Sequence, residues 1–351
     1  MNDRGRRFVP QNGVFGSITV TNNQSSIIPS TAFADSSQST WKAIDLDTGN
    51  VTIHVGHNPT ITWNSSNGGT ITQKLTAILT AFTCRNQSVT EFKLKGKRWS
   101  NLADLKLDAN IYLESIDTFE EWTSINLIRV NSCDLKSFQT HEWPDLTEFY
   151  VHSQRTDSLP DIDYHDWPKL KDFQLDHNTS MVAFDGKAWP DLEFLDAGYC
   201  SWGSVNTANT WTKCTYIKFN NGSNNASLTE IETHPEWVAL EDLRASYHNL
   251  DTFVTHPEWT SLELLSVEKN FNGLDIVIHP QWTSLIYLDT RSNVMTATPI
   301  DDMLIALDGC GTSNGYVDYR LNGAPGQDAS RSGSANTAIS NLVGKGWTVL
   351  R

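Results

Sequence analysis

Between residues 97 and 299 apolar and polar positions follow a fixed schedule whose marker is tryptophan. Trp99, Trp122, Trp143, Trp167, Trp189, Trp211, Trp237, Trp259 and Trp282 succeed one another at intervals of 21 to 26 residues. Apolar residues stand three, six and eight places after each, and a small polar residue eleven places after. The eighth unit reads Trp259, Leu262, Leu265, Val267, Asn270, and the first Trp99, Leu102, Leu105, Leu107, Asn110. The fourth gives Trp167, Leu170, Phe173, Leu175, Asn178, while the ninth keeps Leu285, Leu288 and Asn293 around a weaker Thr290. Apolar residues at +6 and +8 with polar ones between have the period of a strand, so each unit predicts one short strand with one face inward. An Asn or Cys at +11 can turn back to bond the backbone groups left free at the bend. A second apolar pair predicts an irregular or 3₁₀ return along the other side, as in Leu135 and Phe138, Leu228 and Ile231, Leu250 and Phe253, or Leu274 and Val277. One such coil cannot bury both its faces, so the units must stack and the ends must be capped.

The unit resembles the leucine-rich repeat, whose period of roughly 20–29 residues reads LxxLxLxxN/CxL. The resemblance implies an α/β solenoid with a parallel, concave sheet, a β-rich N-terminal cap and an α/β C-terminal cap. Nine units carry the motif, and Val89, Phe92 and Leu94 are expected to form one more, without tryptophan, ahead of them. Unit six departs from the pattern: Trp211, Cys214, Ile217 and Phe219 lead to Gly222, and the insertion at 220–227 predicts a surface loop.

The flanks have a different character. Residues 21–40 are rich in Ser, Thr, Asn and Gln, so 1–40 is expected to be a flexible or assembly-docking arm. Within 41–86, the segments at 49–56 and 59–63 alternate like strands, 66–69 reads as a hairpin turn, and 74–83 suggests a short helix. After the solenoid of 87–299, residues 300–351 predict a helix, a strand at 316–321, a Gly/Ser-rich loop at 323–336, a second helix and a closing strand. This tail is similar to the C-terminal cap of leucine-rich-repeat proteins from tailed bacteriophages and bacterial surfaces.

Composition narrows the partners. With 41 acidic and 26 basic residues the net charge is −15, which disfavours a nucleic-acid backbone or an anionic membrane as ligand. Acids directly before Trp122, Trp143, Trp167, Trp237 and Trp259 predict a solvated stripe along one edge, and that places much of the charge. No apolar run is long enough for a membrane span, and no apolar stretch follows the N-terminal arginines as an export signal requires. Five cysteines without a CxxC pair make neither a disulfide framework nor a zinc knuckle. Cys133 and Cys200 occupy the +11 place and Cys214 the +3 place, which makes them turn or core residues.

Catalytic motifs of the phosphate-loop, dinucleotide, metalloprotease and serine-hydrolase kinds do not occur, so no catalytic residue, metal or cofactor is expected. The acidic pairs Glu120-Glu121 and Asp301-Asp302 read as solvated or helix-end carboxylates. A glycan-acting enzyme would need a close carboxylate pair, and Asp172 and Asp196 lie in different columns of adjacent coils. His234, His256 and His279 precede Pro in three successive units. They suit either a pH-sensitive or metal-binding strip or, as the plainer reading, a ladder that bonds coil to coil. The tryptophans themselves read as core, each indole filling a corner and donating its N–H to a neighbouring carbonyl.

Function is expected where the repeat does not repeat, at the outward strand positions +5, +7, +9 and +10. Tyr150, Phe194, Tyr199, Tyr216, Tyr247 and Tyr287 fall there among polar groups, a composition suited to binding protein or glycan. The resemblance, with no export signal found, implies a non-enzymatic tailed-phage virion protein for structure or attachment. Its expected partners are other virion proteins, a host surface protein or glycan, and further copies of itself. A bacterial surface or secreted adhesin is the alternative setting.

Overall fold

In the computed structural model the strands that the units predict lie side by side in one parallel sheet. The structure describes residues 79–95, 100–154, 162–221, 228–270, 273–322 and 331–351, and before residue 79 Pro29, the strand Ile61–Thr62 and the strands named below. Trp99, residues 1–15, and the turn, insertion and tail-loop residues at 66–68, 222–227 and 323–330 lie outside these. Among the described residues the main sheet has 13 strands. Twelve run parallel: Leu79–Thr83, Asp104–Lys106, Leu127–Arg129, Glu148–Tyr150, Asp172–Gln174, Phe194–Asp196, Tyr216–Lys218, Asp242–Arg244, Leu264–Ser266, Tyr287–Asp289, Tyr316–Asp318 and Thr348–Leu350. The register is constant, so the +6 residues Leu105, Ile128, Phe149, Phe173, Leu195, Ile217, Leu243, Leu265 and Leu288 form one fully buried column.

Tryptophan supplies the second column. From Trp122 to Trp282 every repeat indole is fully buried, and successive rings stack at 5.6 to 6.4 Å. From Trp143 on, each indole N–H donates to a carbonyl of the preceding coil, as Trp167 does to His141 O, Trp189 to His165 O, Trp259 to His234 O and Trp282 to His256 O, all at 2.9 Å. Burial of so large a ring is worth several kcal/mol, about 3–5 by truncation to alanine. Meeting its one polar atom removes the counter-cost. Cys310 ends the series, its thiol 3.3 Å from His279 O.

Corners are closed by the +11 residue. Asn178 donates to Val151 O and Leu175 O at 3.0 and 2.8 Å and accepts from Gln154 N at 3.0 Å. Asn110 and Asn270 repeat the two donated bonds, and Gln154 donates in the same way to Val130 O. Cys133 and Cys200 point their thiols at Leu107 O and Leu175 O. Burial pushes the Cys133 and Cys214 thiols up to about 12, which fits turn and core roles. In the interrupted unit six, Asn221 takes the corner one place early and is buried opposite Cys200. The bend puts the residue before the corner into left-handed backbone, from Ala109 (φ 59°) through Ser132 and His177 to Leu321 (φ 60°).

Four sequence expectations change. The helix expected over 74–83 is not seen in its described residues: Gly69–Leu75 and Leu79–Thr83 are strands, and 76–78 lie outside the described residues. Burial alternates from Ala81 to Cys84, with Phe82 and Cys84 inward, which is the period of a strand and not of a helix. That strand pairs with Asp104–Lys106, so Phe82 and Cys84 lead the coil before the tryptophan series. Val89–Lys95, expected to lead it, pairs antiparallel with Gly16–Asn22 instead. The stretch expected to be a loose arm holds the strands Gly16–Asn22, Ser26–Ile27 and Ser30–Phe33; the first belongs to an antiparallel sheet with Thr40–Asp45, Val51–Val55, Gly69–Leu75 and Val89–Lys95, and the third pairs with Leu79–Thr83. On the far side of the eighth coil Val277 is 60% exposed, while Ile276 and Ile278 are buried, because the return there alternates. The other return segments are largely irregular, with one short parallel pair, Ala183–Asp185 and Ser204–Asn206.

Beyond the ninth unit, helices Ala297–Gly309 and Gly333–Gly344 pack together behind Tyr316–Asp318 and Thr348–Leu350. Asp301 is not a free carboxylate there. It holds Arg331 at 3.3 Å and the backbone N–H of Ser332, the N-cap of the second helix, at 2.9 Å.

Candidate functional site

Each strand turns its central residue inward and its neighbours outward, so the outward residues form columns across the sheet. The +5 column runs Glu148, Asp172, Phe194, Tyr216, Asp242, Leu264, Tyr287 and Tyr316. Beside it, the +7 column runs Tyr150, Gln174, Asp196, Lys218, Arg244, Ser266 and Asp289. The left-handed corner residues form the third.

The six aromatics expected to bind are distributed over all three columns. Phe194 and Tyr216 meet face to face, 4.3 Å apart with planes 4° from parallel. Tyr287 is separated from them by Asp242 and Leu264 and stacks instead on Tyr316 at 5.0 Å. Tyr150 is only 9% exposed, its ring under the Arg129 guanidinium at 4.8 Å. Tyr199 and Tyr247 occupy corners, at φ 58° and 67°. Left-handed backbone costs such residues roughly 1–2 kcal/mol each. Ring contacts offset this: His177 stacks on Tyr199 at 4.3 Å with the Lys218 ammonium 4.8 Å from the same ring, and the Lys269 ammonium lies 4.3 Å from Tyr247. The sheet thus joins Phe194 to Tyr216 and leaves Tyr150, Tyr199, Tyr247 and Tyr287 in separate clusters.

Charges on this face are mostly paired. Lys218 and Asp196 meet at 2.9 Å, and Arg244 grips Asp242 with two bonds of 2.9 and 2.8 Å. At the C-terminal end Arg291 bridges Glu268, Asp289 and Asp318. Burial there pushes the Asp289 carboxyl up to about 6.

Asp172 and Asp196 do not face each other, since Asp172 pairs with Phe194 and Asp196 with Gln174. The nearer carboxylates are Glu148 and Asp172, neighbours in one column. The Tyr150 hydroxyl sits between them, 3.0 Å from Glu148 and 2.8 Å from Asp172. Burial raises Asp172 above its ordinary range against hydrogen bonds from Tyr150 and Gln174 that pull the other way. Tyr150 fills the space that a substrate between the two acids would need.

In the histidine strip His256 and His279 bond coil to coil, whereas Nε2 of His234 is without a partner among the described residues. His256 and His279 set Nε2 3.2 and 3.0 Å from the hydroxyls of Thr233 and Thr255 in the coil before. Their rings stand edge-on to Trp259 and Trp282 at 5.2 Å. Among the described residues no three His, Cys, Asp or Glu gather so as to hold a metal, and no helix is long and apolar enough to cross a membrane.

One depression of about 440 Å³ opens on the sheet between the two aromatic pairs, lined by Phe194, Thr215, Tyr216, Glu241, Asp242, Glu263, Leu264, Ile286 and Tyr287. Three of the six expected aromatics border it. Sequence reasoning missed Tyr316, because no tryptophan marks the phase of its coil. It also missed Glu241, Glu263 and Ile286, which stand four places after their tryptophans, one place outside the positions taken to face outward; the alternation of the strand, continued by one residue, would not have reached them.

No protein-family model matches the chain, and no curated protein does. Solved structures match at low identity. The functional domain of InlJ from Listeria monocytogenes, which includes a cysteine ladder, aligns over 74% of this chain and 48% of its own length at 16% identity and a TM-score of 0.43. This chain therefore spans less than half of that domain. The internalin inlF from Listeria monocytogenes aligns over 77% of this chain and 79% of its own, with 12% identity and a TM-score of 0.44. YopM from Yersinia enterocolitica covers 69% and 60% respectively, at 17% identity and a TM-score of 0.32. The assignment itself comes from the coil: with one short parallel strand, one buried hydrogen-bonding corner and one stacked indole per turn, this chain is a leucine-rich-repeat solenoid.

Proposed function

We propose that the chain is a non-catalytic recognition scaffold that holds a protein partner along the sheet face. The depression between the Phe194–Tyr216 and Tyr287–Tyr316 pairs carries this reading. There half-buried aromatic and aliphatic side chains interrupt a mostly ion-paired surface, and such groups add contact area at low entropic cost. The six aromatics expected from the sequence remain the candidate contacts, with Tyr216, Tyr287 and Phe194 at the centre. Joint replacement of Tyr199, Tyr216 and Tyr247 tests the face: attachment to the partner should weaken at least about tenfold, and unchanged attachment would dismiss it.

The setting we propose is a tailed-phage virion, with the N-terminal strands toward the particle and the solenoid toward a host receptor or neighbouring subunits. The resemblance of the C-terminal elements supports it. A bacterial surface serves equally a scaffold of this fold. Gradient-purified virions that contain the chain would support the first setting. Its recovery from envelope or medium fractions and its absence from virions would replace the first with the second.

A further inference from the structure

The depression on the sheet is built asymmetrically. Leu264 and Ile286, the latter 46% exposed, give it apolar lining, and Tyr287 stands beside Leu264 in the sheet with Tyr316 stacked on its other side. Three carboxylates line it, from Glu241, Asp242 and Glu263. Asp242 is committed to Arg244. Glu241 and Glu263 are exposed, and among the described residues their carboxylates meet no cation and no hydrogen-bond donor. Their backbones are bonded to each other, Glu263 N–H to Glu241 O at 2.8 Å, so the two acids stand on adjacent coils with their side chains on one edge. Glu193, two coils earlier in the same column, shows the contrast, because Lys171 meets it at 2.8 Å.

We infer that this depression receives a cationic side chain, lysine or arginine, carried on an extended segment of the partner protein; the inference rests on the sheet face being a recognition surface. The chemistry matches in three parts. A long cationic residue has an aliphatic stem that needs apolar contact, which Leu264 and Ile286 provide. Its charged head needs acceptors without partners, which Glu241 and Glu263 provide. A cation beside a tyrosine ring gains from the negative ring face, which Tyr287 offers. An acidic segment would meet two uncompensated carboxylates and be repelled.

Fluorescence anisotropy of labelled hexalysine, hexa-arginine, Nε-acetylated hexalysine and hexaglutamate against the full chain at physiological ionic strength tests this. A cationic peptide should bind saturably, acetylated hexalysine about tenfold more weakly, and hexaglutamate not at all. Glu241→Gln with Glu263→Gln should cost the cationic peptides about tenfold, and Tyr287→Leu severalfold. Glu121→Gln with Glu142→Gln, an equal charge change on the acidic edge, should cost less than about twofold, because those carboxylates are distant and screened. Equal losses from the two double variants, or equal binding of the acetylated peptide, would overturn the inference by showing diffuse attraction or none. If Tyr199, Tyr216 and Tyr247 still prove necessary for partner attachment, only the cationic specificity fails. If they prove unnecessary while the Glu241 and Glu263 variant loses its ligand, the site stands and the broader face fails.

Discussion

His248 stands at a corner where most other coils place an amide, and replacing it with Asn should make the solenoid less sensitive to acid. The ring is fully buried, with Nε2 2.6 Å from Phe219 O and Nδ1 without a partner. A neutral ring donating through Nε2 satisfies that geometry, whereas a second proton would bury a charge and a donor with nothing to receive it. Burial accordingly pushes the His248 pKa down to about 4, against 6.5 for a free imidazole. The sign follows from linkage. Below pH 6.5 the unfolded chain takes up a proton that the folded one refuses, so stability is full above that value and falls as pH drops toward 4. The full span is worth roughly 3 kcal/mol, of which about 2 kcal/mol is lost by pH 5. Asn at the same corner can donate to Phe219 O, as Asn270 does to Ala245 O in the next coil, and does not titrate. Urea unfolding followed by tryptophan fluorescence, in wild type and His248→Asn at pH 7.5 and 5, gives the comparison. Wild type should lose about 2 kcal/mol more than the variant between the two conditions. Asp289 works in the opposite direction, since a carboxyl raised to about 6 contributes stability that is lost as pH rises from about 4 to 6, but both proteins carry it and it cancels. Parallel losses within about 0.5 kcal/mol would refute a neutral, water-excluded His248.

Three further changes probe the coil. Asn178→Ala strands three buried backbone groups at one corner and should cost about 2–4 kcal/mol by urea midpoint; a loss under about 1 kcal/mol would deny the corner its role. In Gly186→Ala the new Cβ would overlap the Trp211 ring, so a cost of about 1–3 kcal/mol and a weakened near-ultraviolet tryptophan dichroism are expected, and an unchanged spectrum and stability would refute the close fit. Leu321→Asn relaxes a left-handed residue that is 79% exposed and should stabilise by about 0.5–1 kcal/mol in thermal unfolding, with any destabilisation counting against backbone strain there.

The repeat was legible because its marker residue is rare and its environment is the same in every coil. Trp122 through Trp282 set the phase, and once the phase is known, Leu265 and Asn270 have only one place to go. Legibility failed where the phase mark is missing. Leu79–Thr83 carries Phe82 into the core and leads on to Cys84, yet its Leu and Ala also suit a helix, and what decides is the neighbouring strand Asp104–Lys106, whose register partners lie 23 residues away in sequence. Tyr316 was unassigned for the same reason. Residues 16–33 looked polar enough to be loose, but Thr- and Ser-rich stretches serve as strands when another strand supplies the hydrogen bonds. As for the binding face, the sequence could name Phe194, Tyr216 and Tyr287, but not that Tyr150 is held between two acids or that Tyr199 is covered by His177 and Lys218. Those contacts arise between residues about 22 apart, where only coil geometry says which side chain leans on which.

The indole bonds give the array a direction. From Trp143 to Trp282 each tryptophan donates its N–H to the coil before it and leaves its own coil's carbonyl open to the one after, so these units have a plug on one side and a socket on the other. Removing or inserting a whole unit would leave plugs and sockets matched, while the varying unit length of 21 to 26 residues is taken up away from the joint. A molecule assembled this way can change reach in whole coils, and with it the spacing of the Phe194–Tyr216 and Tyr287–Tyr316 pairs, without redesigning either end.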